Sequence, residues 1–340
     1  MSAQEVWRAH IDRIFARTGR TDIRIDLSSS KPAKPLSQPC QQVVNRQYAR
    51  ETFFWGRFKF HGQLWQDERR EATLQNSIED CRGRWDARIQ RAQHLQSQHS
   101  AIANALRFYQ AVLEFQSDLA CRSSVAIDAA IPLRQQIDVG AVCAELPAIL
   151  SLSIERGPEP LGFEARRVHQ SGESLWRQLV EAALTPGEAS SVAAEDFFVR
   201  VCLQPMAENL QRQLPKDRNY NQNVCPVCGG LPQMALLRPE GEGASRSLWC
   251  SFCLCEWHFR RIVCPWCGEE DKEKLPHYSS EAWKYVHVEA CDNCQRYLKA
   301  VDMTIDGLAV PLVDEAALAV LDVWASGLGY TKIIRNMIGF

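Results

Sequence analysis

Eight cysteines between Cys225 and Cys294 stand in four Cys-x-x-Cys pairs: Cys225/Cys228, Cys250/Cys253, Cys264/Cys267 and Cys291/Cys294. Twenty-one residues separate the first two pairs and 23 the last two. A soft cation held by sulfur needs four thiolates converging from two tight turns, and this spacing supplies that arrangement twice. The simplest grouping joins neighbouring pairs, with Cys225, Cys228, Cys250 and Cys253 as one site and Cys264, Cys267, Cys291 and Cys294 as the other. A crossed grouping, with the first and third pairs sharing an ion, would interleave the two halves. Four thiolates in a tetrahedron suit zinc or iron alike.

The first pair of each half has the form Cys-Pro-x-Cys-Gly, at 225–229 and 264–268. Proline pre-sets the turn after the first cysteine, and glycine after the second accepts a positive backbone angle. The second pairs, Cys250-Ser251-Phe252-Cys253 and Cys291-Asp292-Asn293-Cys294, lack both residues. CPVCGG and CPWCGE lie 39 residues apart, so this region is an internal repeat: a knuckle, a hairpin excursion and a second knuckle in each half. Neither half is large enough for much of a hydrophobic core, so bound metal is expected to carry a large share of its folding free energy.

Cys255 breaks the repeat and admits two readings, a spare or reactive thiol beside the first site or a buried residue on the strand that follows; the second is simpler. His258, His277 and His287 lie near, but a closed four-cysteine site leaves them no ligand position. Trp249, Phe252, Trp257 and Trp266 are expected to shield the sulfurs. Cys264-Pro265-Trp266-Cys267 also resembles a redox dithiol, yet such a pair belongs between a strand and a long helix, a setting this sequence does not provide.

The preceding residues must position this module, and they read as helix. Leu74, Ile78, Cys81, Trp85 and Ile89 fall on one helical face, and Ile102, Leu106, Tyr109, Leu113 and Leu119 continue the stripe. Further helical blocks fall at 142–154, 175–184 and 194–213, with Pro205 expected to kink or restart the last. Gly157-Pro158 and Pro186-Gly187 punctuate them. Upstream, Ser2 with Glu5 forms a capping box for a helix ending at Gly19, and residues 28–39 are a Ser/Pro-rich linker. Strand-like runs occur at 233–237, 256–262, 283–288 and 297–304, and a final amphipathic helix at 315–325 must bury Leu318, Leu321 and Trp324.

The 340-residue chain carries 39 basic and 41 acidic residues, so no global field draws it to nucleic acid or anionic membrane. Residues 225–300 hold nine Lys/Arg against ten Asp/Glu, the wrong balance for phosphate. The opening residues lack the order of a signal peptide, and no apolar run reaches membrane-spanning length. The expectation is a cytoplasmic protein without membrane insertion. There, clustered thiols serve as metal ligands or redox groups, while lone ones such as Cys81, Cys143 and Cys202 are small buried apolar residues.

Several stretches together resemble the formate dehydrogenase accessory protein family, FdhE: FFVRVCLQPMAENL, NVCPVCGGLPQMALLRPEGEGASRSLWCSFCLCEW, RIVCPWCGEED, VEACDNCQRYLKAVDM and LDVWASGLGYTKIIRNMIG. The similarity runs from about residue 84 to 340, and the first 80 residues lie outside it. The resemblance implies a cytoplasmic, non-catalytic factor required for active respiratory formate dehydrogenase. It implies contact with that enzyme's molybdenum- or tungsten-containing catalytic subunit, and two rubredoxin-like modules that bind iron. The ligand role would fall on Cys225, Cys228, Cys250, Cys253, Cys264, Cys267, Cys291 and Cys294.

The fold expected is α+β and multidomain: an extension (1–80), a helical domain (81–218), two tandem rubredoxin-like or zinc-ribbon modules (219–262 and 263–306) and a C-terminal helix packing back (307–340). Two other functions compete, a zinc ribbon that binds nucleic acid and a rubredoxin-type electron carrier. No nucleotide-binding Gly-rich loop accompanies the cysteines to serve the latter.

Overall fold

Cys81, Trp85, Ala92 and Leu95 lie on one side of a helix, and that side is buried. The computed structural model describes residues 62–99, 102–122, 127–185, 195–214, 217 and 220–337. The expected helix at 2–19, the linker at 28–39, Cys40, the Pro186-Gly187 turn and the side chains of Leu74 and Ile78 lie outside the described residues. The chain divides into two compact units, residues 26–80 in one and the chain from Cys81 onward, with 1–25, in the other. Of the first, the described part is helix from Gly62; all the elements that carry the paired cysteines belong to the second.

Helix α1 (Gly62–Gln98) is followed by α2 (Ala103–Arg122), which buries Leu106, Tyr109, Val112, Leu113 and Leu119. The expected continuous stripe is thus carried by two helices. Helix α3 (Val139–Arg156) begins at Asp138, whose carboxylate accepts from the backbone of Gly140 and Ala141, satisfying N–H groups that lack a helical partner. It ends at Gly157-Pro158, where α4 (Glu159–Leu184) starts. Helix α5 (Glu195–Arg212) buries Phe198, Val199, Val201, Cys202, Leu203, Ala207 and Leu210. Burial on nearly every side marks the central helix of a bundle, and α2, α3 and α4 all pack on it. Pro205 neither ends nor restarts α5, because a side chain from α2 bonds the carbonyl the proline leaves open.

The cysteine region folds as one sheet. Its strands are β1 (Pro232–Glu240), β2 (Gly243–Cys250), β3 (Glu256–His258), β4 (His277–Ser279), β5 (Val286–Cys291), β6 (Arg296–Asp302) and β7 (Thr331–Lys332). The order is β3-β2-β1-β6-β5-β4, with β7 paired to β6. Each half is an antiparallel set, and the halves join where β1 runs parallel to β6, Met234 opposite Lys299. Strand alternation then sorts side chains to two layers. Ala235, Leu248, Leu298 and Ala300 share a core with the helical body. Met234, Leu236, Val286, Val288, Tyr297 and Val301 face the C-terminal helices through Leu312, Leu318 and Leu321.

The expected terminal helix is two short ones, α6 (Pro311–Ala317) and α7 (Ala319–Gly327), broken at Leu318. A lysine of β6 sits at the break. Alternation turns Lys299 toward this layer, where it is wholly buried and donates to the carbonyl oxygens of Glu315 and Leu318. The Leu318 carbonyl also accepts from Leu321 N at 3.0 Å, so the ammonium shares it with the turn that joins the two helices. Lys299 also pairs with Asp322 at 2.5 Å and Glu315 at 3.2 Å, and Lys332 pairs with both acids. Two cations and two anions therefore balance inside the layer, tying the β7 segment to the sheet.

Candidate metal centres

The four knuckles make the same turn. In the first, Cys225 accepts from Gly229 N at 3.0 Å and donates to Gly230 O at 2.8 Å. In the third, Cys264 accepts from Gly268 N at 3.0 Å and donates to Glu269 O at 2.9 Å. The residue after the second cysteine has positive φ every time: Gly229 69°, Leu254 57°, Gly268 77° and Gln295 54°. The knuckles without glycine therefore hold the left-handed turn against a Cβ penalty. Backbone N–H groups face sulfur, with Val227 N 3.4 Å from Cys225 Sγ and Phe252 N 3.4 Å from Cys250 Sγ.

The sulfurs gather by neighbouring knuckles. Cys225, Cys228, Cys250 and Cys253 form one group and Cys264, Cys267, Cys291 and Cys294 the other, each with its ligand atoms within 4.8 Å of one another. The pairs Cys225–Cys253 and Cys228–Cys250 are 3.6 and 3.4 Å apart, and Cys264–Cys294 and Cys267–Cys291 are 3.8 and 3.7 Å. Sulfurs bound to a central cation at about 2.3 Å in a tetrahedron sit about 3.8 Å from one another. A disulfide would bring them to about 2.0 Å, and the described cysteines are all free thiols. Burial pushes the thiols of Cys250 and Cys253 well above their ordinary range. Four thiolates so placed need a central positive charge, and both groups could hold a metal ion.

The two groups differ in cover. All four cysteines of the first are buried. Arg134 closes it from the helical body: its guanidinium donates to Cys228 O at 3.0 Å and Ala183 O at 2.9 Å and lies 3.9 Å from the Phe252 ring centre. Below it Gly230 is crowded, since a Cβ there would stand 3.1 Å from Cys250 Sγ and 3.2 Å from Cys228 Sγ. Trp257, buried, donates to Gln222 O at 2.9 Å, and Gln204 of α5 reaches Ser251 O at 3.5 Å. In the second group Cys264 and Cys291 are buried, Cys294 is half-buried and Cys267 is exposed. Trp266, in the third knuckle, is 38% exposed, with Arg296 stacked 3.8 Å from the ring centre.

The shielding expected of Trp257 and Phe252 holds at the first group, whereas Trp266 covers the second only in part. Trp249 packs instead in the layer of the C-terminal helices. Cys255 is buried and outside both four-sulfur groups, but its thiol lies against Cys225 of the first. Cys81, Cys143 and Cys202 are buried too; Cys81 lies 3.2 Å from Cys121, and burial with that neighbour pushes its thiol up to about 12. His258 is exposed, while the rings of His277 and His287 lie 4.6 Å apart, tilted, and belong to neither group. Arg134 and Gly230 are the residues that sequence reasoning missed. The doubled glycine of CPVCGG was a signal for Gly230; nothing local marked an arginine 94 positions from its partner.

Comparison with known proteins places this geometry. The FdhE central domain matches residues 224–261 and the FdhE C-terminal domain residues 262–338. An FdhE homolog of Aquifex aeolicus is 34% identical over 147 residues, 42% of this chain and 52% of that protein. One from Pseudomonas aeruginosa is 37% identical over 168 residues, 47% of this chain and 51% of that protein. The chain thus spans about half the length of the curated relatives it matches. The crystal structure of the FdhE protein from Pseudomonas aeruginosa superposes with a TM-score of 0.58 at 23% identity, covering 76% of this chain and 96% of that one, which is a likeness of fold. Among the described residues no helix is long and apolar enough to cross a membrane.

Proposed function

We propose, from the match of residues 224–338 to the FdhE central and C-terminal domains, that the chain is an FdhE-family member, a non-catalytic accessory factor that binds the catalytic subunit of formate dehydrogenase in the cytoplasm. Its eight paired cysteines are the ligands of two metal ions, iron or zinc. The observation that carries this reading is the pair of sulfur tetrahedra, with edges matching a metal–thiolate site, built into one sheet between two helical layers. Residues 81–218 form the helical domain, 219–262 and 263–306 the two metal modules, and 307–340 the segment that packs back on them.

The protein contributes geometry. Four knuckle turns fix the sulfurs, and closing each site fastens the first and last segments of a half whose own core is small. With iron, such a site also supplies a one-electron couple; with zinc it supplies structure alone.

Two measurements test the reading. Anaerobic purification with elemental analysis should return two equivalents of metal per chain, and iron would add thiolate charge-transfer absorption. In a host lacking its own family member, the wild-type chain should restore formate dehydrogenase activity and co-purify with the catalytic subunit. Cys225→Ser and Cys264→Ser should do neither at equal expression. Full activity from both variants would overturn the reading.

A further inference from the structure

The two centres share one turn geometry and the same sulfur–sulfur pattern, yet the fold covers them differently. We infer that they are kinetically distinct: the site of Cys264, Cys267, Cys291 and Cys294 exchanges its metal, and the site of Cys225, Cys228, Cys250 and Cys253 is locked. This rests on the reading of both groups as metal sites.

Exchange at a closed thiolate site begins when an incoming ligand reaches the metal–sulfur edge and displaces one sulfur. At the second site that edge is open. Cys267 is exposed, Cys294 half-buried, and the ring beside them is itself partly in solvent. Among side chains outside the group, exposed Asn293 donates to Cys267 Sγ at 3.7 Å, and the following turn, 268–271, is solvent-facing apart from half-buried Glu269. An incoming ligand can reach Cys267 without any other part of the fold opening.

At the first site every sulfur is inside. Reaching one requires moving the Arg134 guanidinium, which is pinned to two carbonyls and stacked on Phe252, or parting α5 from the Ser251 turn. Gly230 backs two of the sulfurs, where even an added Cβ would stand 3.1 and 3.2 Å from Cys250 Sγ and Cys228 Sγ. Release there must await an opening that breaks contacts of the helical core, and such openings are rarer than local fluctuation at a surface turn. The fold thus builds one centre as a permanent fastening and the other as a position that loads and unloads while the sheet stays intact.

The test uses the full chain loaded anaerobically with zinc to a measured two equivalents. A chromogenic chelator in excess, with N-ethylmaleimide present to trap freed thiols, should reveal two phases, the first at least about tenfold faster than the second. Peptide mapping at the end of the fast phase should find label on Cys264, Cys267, Cys291 and Cys294, with Cys225, Cys228, Cys250 and Cys253 protected. Arg134→Ala should accelerate the slow phase alone. Two ions leaving at one rate, or label appearing first on Cys225–Cys253, would overturn this inference while leaving the metal reading intact. Failure to load two equivalents would overturn both. The mapping is done on the wild-type chain, so its outcome decides the matter even where the variant does not fold.

Discussion

The side-chain amide of Gln116 donates to the carbonyl oxygen of Val201 at 3.0 Å, and that oxygen is the one Pro205 leaves without its helical donor. Proline lacks an N–H, so the carbonyl four residues before it loses its partner in the middle of a buried helix. A leucine at 116 would leave that carbonyl unpaired at a cost of about 1–3 kcal/mol. The Gln116 oxygen itself has no partner, which trims the net effect toward the low end. Gln116→Leu is therefore expected to lower stability in denaturant unfolding, and Pro205→Ala to recover part of the loss by restoring the helical bond. A double-mutant cycle with no coupling between the two would contradict this account.

How far the fold was legible follows from the range of each contact. Knuckle spacing is a short-range code, so the grouping of the sulfurs follows from positions a few residues apart. The stripe at Cys81 and Trp85 likewise repeats every turn. What escaped the sequence is long-range or set by partners. The parallel pairing of β1 with β6 joins residues 65 apart in the chain, as Met234 with Lys299. Strand β2 carries Ala244, Arg246 and Ser247, which resemble a loop until two neighbouring strands fill in their bonds. A lysine inside a run such as RYLKAVD suggests a solvent face, and only the acids of α6 and α7 reveal that it is buried. The unequal cover of the two centres was hidden for the same reason, since it depends on where the helical body lies.

The buried charges around Glu315 make acid stability depend on one side chain. Burial alone would raise the Glu315 carboxyl, but the ammonium groups of Lys299 and Lys332 outweigh it and hold the group at about 2. A carboxyl depressed from 4.5 contributes stability that is complete above pH 4.5 and is lost as pH falls toward about 2. Thermal midpoints recorded from pH 5 downward should drop steeply in the wild type. Glu315→Gln should be destabilised by roughly 3–5 kcal/mol at neutral pH, since it leaves buried ammonium charge uncompensated. Its midpoint should then fall less steeply over the same acid window, with Glu208 and Glu289, also held low against burial by arginines, supplying the remaining slope.

A second pH window belongs to His287. Burial, then the neighbouring His277, lowers its imidazole below 6.5, outweighing Asp302 and Glu289. The unfolded chain thus takes up a proton before the folded one does, and stability present above pH 6.5 declines as pH drops below that value. His287→Gln is expected to flatten the fall in thermal midpoint between pH 6.5 and 5. His99, also lowered by burial, remains as a second contributor. An unchanged slope in the variant would show that His287 protonates equally in both states.

The knuckle turns permit a separation of backbone strain from crowding, using two glycines and one glutamine in different surroundings. At Gly268 the backbone is left-handed, φ 77°, and an added Cβ meets nothing within 4 Å. Gly268→Ala therefore isolates the conformational penalty and should cost about 1–2 kcal/mol. Gly230 is the reverse case, with ordinary φ but two sulfurs at 3.1 and 3.2 Å from the new atom. Gly230→Ala should leave the turn unstrained yet weaken metal retention at the first site, because the sulfurs must shift from their tetrahedral edges. At Gln295 the strain is already present, with φ 54° on an exposed side chain that donates to Asp292 O at 2.8 Å. Gln295→Gly removes the Cβ penalty of about 1–2 kcal/mol and forfeits part of it to chain entropy, about 0.5–1 kcal/mol. The net should be a small gain in thermal midpoint for the metal-loaded chain. Loss of stability in Gln295→Gly, measured beside a destabilised Gly268→Ala, would mean that the Gln295 side chain, through its bond to Asp292, holds the fourth knuckle more firmly than its backbone angle loosens it.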